Sequence, residues 1–278
     1  MGAIIGGMEV HIFDVEHGSC AAVISPSGHL LMIDCGHNDT TGWRPWAWVA
    51  ARGQPIANLT ITNFDRDHVT DLPNVLARNV VTSFTMNWNV TAAWVRRQKG
   101  SLGMSPGVEL AIQRLDALRN LPGISINWGI GFDVRWFYHP VTSTADENYL
   151  SVVTFVHCGA IRFVFSGDLT TQGWEDFLVD PVFQGYLRNT NLFVASHHGR
   201  EDGYCPEVFD YCTPDVIVAS DKSVMYDTQL VDYGRHARGI PWTTNVGKAI
   251  HRSFLTTRND GTLGFTPVGA GYRIQASN

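Results

Sequence analysis

The sequence predicts an α/β protein, because short segments with the pattern of strands alternate along the chain with segments that have the spacing of helices. The composition agrees, since 44% of the 278 residues are hydrophobic and 17% are charged, as in an ordinary globular protein. The second half repeats the order of elements found in the first, and no Pro/Ser-rich linker separates them. We therefore expect one domain, residues 1–278, made of two similar halves.

The individual elements follow from apolar periodicity and from turn residues between the periodic segments. In the first half, strands are predicted at 9–15, 21–25, 29–33 and 57–62, and helices at 43–52, 71–78 and 110–121. In the second half, strands are predicted at 150–157, 160–166, 191–195 and 215–220, helices at 172–178 and near 245–251, and a last hairpin through Asn259-Asp260-Gly261. The stretch between the helices predicted at 71–78 and 110–121, which contains Trp88 and Trp94, has no assignable pattern.

The net charge of -6 argues against general electrostatic binding of nucleic acid, because such binding normally requires a basic surface. A small substrate fits this charge better. A phosphorylated substrate is still compatible with it, because a bound divalent cation supplies positive charge locally.

The cysteines and the apolar segments indicate the cellular compartment that the sequence predicts. The five cysteines are an odd number and include no CxxC pair, so they predict core thiols in a reducing compartment. No apolar run approaches the roughly 18 residues of a membrane span, and the first residues lack the basic start of a signal peptide. The sequence thus predicts a cytoplasmic protein without membrane contact.

Polar residues that carry chemistry follow four of the predicted strands. They are Asp34, the run Asn63-Phe64-Asp65-Arg66-Asp67-His68, Asp168 and the pair His197-His198. Loops at the ends of rigid strands are where α/β proteins usually hold ligands. Three of these loops together offer six side chains that bind metals: Asp65, Asp67, His68, Asp168, His197 and His198.

The mixture of donors indicates which metal is expected. Carboxylate oxygens suit magnesium, manganese or calcium, and imidazole adds affinity for zinc, iron or manganese, so the mixed set favours zinc or manganese. Two alternatives remain at this point: Asp67 caps the following helix, and Asp168 is only a turn residue. Adjacent histidines after an apolar strand favour the metal interpretation, because buried imidazoles need partners. Of the other histidines, His17, His37 and His236 lie in turns that border the site, and the rest are expected to be packed or solvated.

Seven short motifs, in order over nearly the whole chain, resemble those of the metallo-β-lactamase superfamily. Within it they are most similar to the hydrolase domain at the C-terminus of the ComEC family of DNA-uptake channel proteins. The motifs are Phe13-Asp14-Val15-Glu16-His17-Gly18, Met32-Ile33-Asp34-Cys35-Gly36, Ile61-Thr62 with the following run to His68, Asn148-Tyr149-Leu150-Ser151-Val152-Val153, Phe165-Ser166-Gly167-Asp168, Ser196-His197-His198-Gly199 and Thr256-Thr257-Arg258-Asn259-Asp260-Gly261. The resemblance implies a four-layer αββα sandwich with a metal site at one edge.

The resemblance also implies roles for individual residues. Asp65 would help to hold a first metal, Asp67 and His68 a second, and Asp168 would bridge them. One of His197 and His198, which the sequence does not distinguish, would complete the first site, with Asp34 orienting ligands and Asn148 nearby. Two departures leave the choice between one and two ions open: Asn63 stands where the family has His, and His17-Gly18-Ser19 stands where it has Gln-Gly-Asp.

The leading functional hypothesis is hydrolysis of a phosphodiester, of a small phosphorylated molecule or of nucleic acid, by a metal-bound hydroxide. Asp168 would hold this hydroxide, and Asp65 or Asp67 would accept a proton. Lys222, Tyr226 and Arg200 would contact the phosphate. The alternatives are hydrolysis of an ester, thioester or lactone by the same chemistry, and a degenerate fold that binds a ligand without catalysis. The apolar channel region of ComEC has no counterpart here, so DNA uptake does not follow from the resemblance.

Overall fold

Two large mixed β-sheets form the centre of the computed structural model, which describes residues 7–100, 102–222, 228–244 and 247–277. The strands are β1 (Glu9–Ile12), β2 (Ala21–Ile24), β3 (Leu30–Ile33), β4 (Ile56–Thr60), β5 (Val81–Thr85), β6 (Phe132–Phe137), β7 (Val153–Cys158), β8 (Ile161–Phe165), β9 (Leu192–Val194), β10 (Val216–Ala219), β11 (Ile240–Thr243), β12 (Ala249–Arg252), β13 (Phe254–Thr256), β14 (Leu263–Val268) and β15 (Gly271–Ala276). The first sheet has the order β15-β14-β1-β2-β3-β4-β5, the second has the order β13-β10-β9-β8-β7-β6, and β11 pairs with β12.

The helices lie on the outer faces of the two sheets. They are α1 (Pro45–Arg52), α2 (Arg66–Val69), α3 (Leu72–Arg78), α4 (Ala92–Lys99), α5 (Pro106–Leu118), α6 (Thr171–Phe177), α7 (Pro181–Arg188), α8 (Leu230–Arg235) and α9 (Thr257–Asp260). Several begin at a residue whose side-chain oxygen accepts a backbone N–H, as Ser105 does at α5 and Thr170 does at α6. Such caps satisfy N–H groups that have no partner inside the helix.

Three apolar clusters show how the layers are stacked. Between the sheets, side chains such as Val10 and Leu31 of the first sheet pack with Phe163 and Val218 of the second. The outer face of the first sheet packs against helices that include α3 and α5, and the outer face of the second packs against α6, α7 and α8. The architecture is therefore the predicted αββα sandwich, because each sheet buries one face against the other sheet and one against helices.

Two elements predicted near the C-terminus are wrong. The helix near 245–251 is replaced, in its described part, by strand β12, where Ile250 lies opposite Trp242 of β11 and the Arg252 guanidinium lies 5.0 Å from the centre of the Trp242 ring. Cross-strand contacts of this kind stabilise a hairpin over a helix. The predicted turn at Asn259-Asp260-Gly261 belongs to the helical turn α9, and the last hairpin is instead formed by β14 and β15.

The strand directions bring the polar motifs together. In the first sheet β1 and β3 are both antiparallel to β2, and β4 is parallel to β3, so β1, β3 and β4 point the same way. In the second sheet β8 and β9 are parallel. The loops that follow these five strands carry His17, Asp34, the Asn63 to His68 run, Asp168 and the His197-His198 pair. Among the described residues, no helix is both long and apolar enough to span a membrane.

Candidate metal centre

His68 is held from both sides by carboxylates. Its Nδ1–H donates to Asp34 Oδ2 at 2.8 Å, and its Nε2 lies 3.1 Å from Asp168 Oδ2. Asp34 also accepts the backbone N–H and the hydroxyl of Thr62, at 2.7 Å and 2.6 Å. These contacts fix the ring of His68 with Nε2 directed at Asp168, which is how carboxylate partners orient imidazole ligands in metal sites.

His198 reaches the same point from the second sheet. Its Nδ1–H donates to the backbone carbonyl of Ser220 at 3.0 Å, which leaves Nε2 to face the carboxylates. That Nε2 lies 3.3 Å from Asp67 Oδ2 and 3.6 Å from Asp168 Oδ1. We call Asp67, His68, Asp168 and His198 the histidine cluster.

The two adjacent histidines face different surroundings. His197 Nδ1 lies 2.8 Å from Asp202 Oδ1, and its Nε2 lies 2.9 Å from an Arg200 nitrogen and 3.9 Å from Asp168 Oδ2. Its Nε2 therefore accepts a hydrogen bond from the guanidinium, whereas His198 Nε2 faces the carboxylates of the histidine cluster. The geometry distinguishes two imidazoles that the sequence left equivalent.

The donor atoms of the histidine cluster fit a divalent cation. His68, Asp168 and His198 are buried, and each offers a ligand atom within 4.8 Å of the others. The Nε2 atoms of His68 and His198 are buried and lie 3.1 to 3.6 Å from carboxylate oxygens of Asp67 and Asp168. These separations are close to the roughly 3.3 to 3.6 Å expected between neighbouring ligands of a cation with bonds of about 2.1 Å. A zinc or manganese ion would replace the protons that otherwise join these nitrogens and carboxylates.

Mutual electrostatics keep the carboxylates of the histidine cluster ionised. Burial alone would raise the pKa of Asp67, but the imidazoles of His198 and His68 lower it to about 2. The pKa of Asp168 also lies far below its usual value, because the neighbouring imidazoles outweigh its burial. Burial would lower the pKa of His68 and His198, but the neighbouring carboxylates together outweigh it and raise both: Asp168 with Asp34 for His68, and Asp168 with Asp67 for His198. The cluster thus attracts positive charge, either as protons or as a metal.

The backbone around the cluster is unusual in a way that marks a functional site. Among described residues other than glycine, positive φ angles occur at Glu16, Asp34, His197 and His198. Such residues are strained by roughly 1 to 3 kcal/mol each and are held by their surroundings. Close packing helps to hold this backbone in place, because a Cβ at Gly36 would lie only 2.4 Å from the backbone oxygen of Asp67.

Asn63 and Asn148, both predicted to lie near the metal, are bonded to each other. The Asn63 amide donates to Asn148 Oδ1 at 2.7 Å, and Asn63 Oδ1 accepts the backbone N–H of Asp65 at 3.0 Å. Both the nitrogen and the oxygen of the Asn63 side chain are therefore hydrogen-bonded within the protein. Its nitrogen is a donor and has no lone pair to offer a metal.

Asp65 lies apart from the histidine cluster in the described structure. Its carboxylate pairs with the Lys99 ammonium, which also pairs with Glu147. We call Asp65, Lys99 and Glu147 the lysine cluster. Sequence reasoning missed Lys99 and Glu147, because neither stands in a motif and only the fold brings α4 beside the loop after β4. Asp65 as a metal ligand stays a prediction.

The predicted phosphate-binding residues lie in different places. Arg200 borders the histidine cluster and donates to both His197 and His17. Lys222 donates to Glu16 Oε2 at 3.1 Å, and its side chain is 41% exposed. Tyr226 lies outside the described residues.

His17, which sequence reasoning placed only at the border, reaches the cluster. Its Nε2 lies 3.9 Å from Asp67 Oδ2, and its ring centre lies 4.3 Å from that of His198. Burial, with the neighbouring His198, lowers the pKa of His17 to about 4. The signal that could have identified His17 is its place in a loop after a strand. That strand, β1, points the same way as β3 and β4, and the loops after β3 and β4 carry Asp34 and Asp67.

Comparison with known proteins gives similarities at the level of solved structures. No family model and no curated protein matches the chain. The chain is similar to Igni18, a metallo hydrolase from Ignicoccus hospitalis, with 13% identity, TM-score 0.48 and coverage of 92% of this chain and 98% of that one. It is also similar to the metallo-beta-lactamase fold protein YhfI from Bacillus subtilis, with 12% identity, TM-score 0.43 and coverage of 78% and 88%.

A long form of RNase Z from yeast has 10% identity, TM-score 0.44 and coverage of 94% of this chain and 42% of that one. The likeness to the ComEC branch stays a prediction from the motifs. The order of the two mixed sheets and their flanking helices makes this chain a four-layer αββα sandwich, the fold that the motifs predicted.

Proposed function

We propose that this protein is a metal-dependent hydrolase whose cation is held by Asp67, His68, Asp168 and His198. One observation carries the proposal: two buried imidazole Nε2 atoms and two ionised carboxylates converge, with nitrogen–oxygen separations of 3.1 to 3.6 Å. Burying several charged groups together costs free energy unless they are closely paired. A divalent cation bound by all four side chains would offset that cost.

Bound there, a divalent cation lowers the pKa of water and neutralises charge that develops on the substrate. The protein side chains supply the remaining functions. Asp34 and the Ser220 carbonyl orient the two imidazoles, and Asp168 stays ionised between them. Asp67, whose side chain is 30% exposed, lies at the solvent side of the cluster and accepts a proton from the attacking water.

A phosphodiester is the substrate class we favour. The Arg200 guanidinium lies beside the histidine cluster, held by His197 and His17, where it meets an anionic group of a bound substrate. Lys222 is exposed enough to bind a more distant phosphate. The net charge of -6 favours a small phosphorylated molecule over a long polyanion.

The test uses purified protein loaded with zinc or manganese and the reporter bis(p-nitrophenyl) phosphate. We expect cation-dependent hydrolysis, and we expect Asp168→Asn to reduce it by at least about a hundredfold, beyond the range found when a supporting residue is lost. Asp39→Asn is the matched control, because Asp39 is exposed and contacts only His37 and Arg44 among the described residues.

Each outcome decides a separate part of the proposal. Full activity in Asp168→Asn rejects the site. Cation-dependent cleavage of a lactone or thioester reporter, with none of the phosphodiester, rejects the substrate class and supports the ester alternative. Tight cation binding without hydrolysis of any reporter rejects catalysis and supports a binding protein.

A further inference from the structure

We propose that His17 is an additional ligand of the cation, so that the site contains three imidazoles, from His17, His68 and His198. This inference rests on the proposed function, because it assumes the cation at the histidine cluster. It adds a residue from the loop after β1 to a site otherwise built from later loops. It also places the solvent-facing side of the cation next to His17.

Distances support this assignment. One ligand atom each of His17, Asp67 and His198 lie within 4.8 Å of one another, as do the ligand atoms of His68, Asp168 and His198. The two groups share His198, and Asp67 Oδ2 lies 3.3 Å from its Nε2 and 3.9 Å from His17 Nε2. A cation bound by His198 and Asp67 is therefore close to His17.

The backbone presents His17 to the site. The preceding residue, Glu16, has a positive φ of 60°, and Gly18 follows at a place where a Cβ would lie 2.8 Å from the backbone oxygen of Asp67. The loop after β1 is thus packed directly on the loop after β4. The side chain of His17 is 20% exposed, so it closes the cluster on its open side.

Among the described residues, the two other side chains of this region that the motifs suggested are engaged elsewhere. The Asn63 amide donates to Asn148, and the Asp65 carboxylate is paired with Lys99. His17 Nε2 carries the lone pair of its ring, because it accepts a hydrogen bond at 2.6 Å from an Arg200 nitrogen that can only donate. A cation would take over this lone pair, and Arg200 would retain its hydrogen bond to His197.

Charge balance agrees with this ligand set. Three neutral imidazoles and the carboxylates of Asp67 and Asp168 together neutralise one divalent cation. Additional charged ligands are not needed for a neutral complex, and such balance reduces the cost of burying the ion. The set of nitrogen and oxygen donors suits zinc.

The experiment counts imidazoles directly. X-ray absorption spectra of the zinc-loaded protein are recorded for the native chain, His17→Ala, His17→Gln and the control His37→Ala, and zinc affinity is measured by competition with a chelator. His37 is a suitable control, because it lies in a nearby turn and contacts Asp39. Circular dichroism of the cation-free proteins confirms folding, and the glutamine variant keeps a polar side chain if alanine disturbs the loop.

We expect three imidazoles in the native protein and in His37→Ala, and two in both His17 variants. Zinc affinity should fall by at least about tenfold in His17→Ala, the smallest loss seen for a residue that supports a metal site. Two imidazoles in the native protein, or an unchanged spectrum in folded His17→Ala, overturns the inference. Asp168→Asn separates it from the proposed function: native zinc affinity in that variant rejects both, whereas lost affinity there with an unchanged His17→Ala rejects only the role of His17.

Discussion

Two groups of charged side chains lie on either side of the loop that follows β4, and they differ in what completes them. In the lysine cluster, the ammonium of Lys99 lies between the carboxylates of Asp65 and Glu147, and only 7% of the lysine side chain is exposed. In the histidine cluster, Asp67 and Asp168 face imidazole nitrogens of His68 and His198 at 3.1 to 3.6 Å. The first group is neutralised by a lysine ammonium, and the second by imidazoles that can bind either protons or a metal.

In the proposed function, acidic residues two positions apart in sequence serve different purposes. The carboxylates of Asp65 and Glu147 form ion pairs with an ammonium of the protein itself. In the histidine cluster, imidazole nitrogens and carboxylate oxygens point at a common centre. We therefore expect only the second arrangement to gain stability from an added metal.

The largest expected effect is stabilisation by the cation. At a free zinc concentration of about a thousand times Kd, the free energy of unfolding should rise by about 4 kcal/mol, because the cation binds the folded state only. Asp168→Asn should abolish this gain, and a chelator should reverse it in the native protein. Denaturant titrations with and without zinc measure both, and an equal gain in the variant would contradict the comparison.

Removing the internal cation of the lysine cluster should cost less. Lys99→Met leaves two carboxylates close together without their ammonium and should reduce the free energy of unfolding by about 2 to 3 kcal/mol. This is less than the 3 to 5 kcal/mol of a fully buried pair, because Asp65 is 35% exposed. The exposed Lys248→Met serves as control, and zinc affinity should remain close to native in both variants. A loss of zinc binding in Lys99→Met would show that the two clusters are coupled.

The clusters should also respond differently to pH. The pKa values of His68 and His198 are raised in the cation-free protein, so zinc must displace protons and its affinity should increase as pH rises through neutrality, by about tenfold per unit for each proton released. Isothermal titration calorimetry in buffers of different ionisation enthalpy counts these protons. Affinity that is constant between about pH 6 and about pH 8 would mean that the imidazoles are already neutral.

The lysine cluster should not contribute in that range. Burial would lower the pKa of Lys99, but Asp65 and Glu147 outweigh it and raise the pKa above 10.5. A raised lysine pKa gives stability that is present below the unfolded value and is lost only as pH rises through the folded value. Lys99→Met should therefore leave the pH dependence of zinc affinity unchanged near neutrality.

The smallest effect is expected for the amide pair. Asn63→Ala removes the hydrogen bond to Asn148 and the support of the Asp65 backbone, and should lower the free energy of unfolding by about 1 kcal/mol. Zinc stoichiometry and affinity should be unchanged, because the amide faces away from the histidine cluster. A loss of one equivalent of zinc would show instead that Asn63 holds a second ion.

Much of the fold was predictable, because the sandwich depends on apolar periodicity that is local in sequence. The strands before Asp34, Asp168 and His197 were placed within a few residues, and their ends located the motifs. The helix predicted near 245–251 failed because its residues gain more from pairing across a hairpin, with Trp242 against Ile250, than from their own helical preference. A pattern read from neighbouring residues in the sequence does not reveal this pairing partner.

The site was predictable only as a set of motifs. Convergence of Asp67, Asp168 and His198 depends on how two sheets are packed, and the pairing of Asp65 with Lys99 depends on where α4 lies. The surroundings of His197 and His198 differ through Asp202 and Ser220, which the sequence does not relate to them. Contacts over long sequence separation decided each of these points.

The left-handed backbone at Asp34, His197 and His198 has a consequence for how the molecule assembles. These turns are unfavourable in an isolated peptide, so they adopt their shape only after the strands on both sides have docked. A partly folded chain would hold the right residues without arranging them around a common centre. Binding of a metal ion at this site would therefore show that both sheets have formed, and the fraction of metal bound would measure the last step of folding.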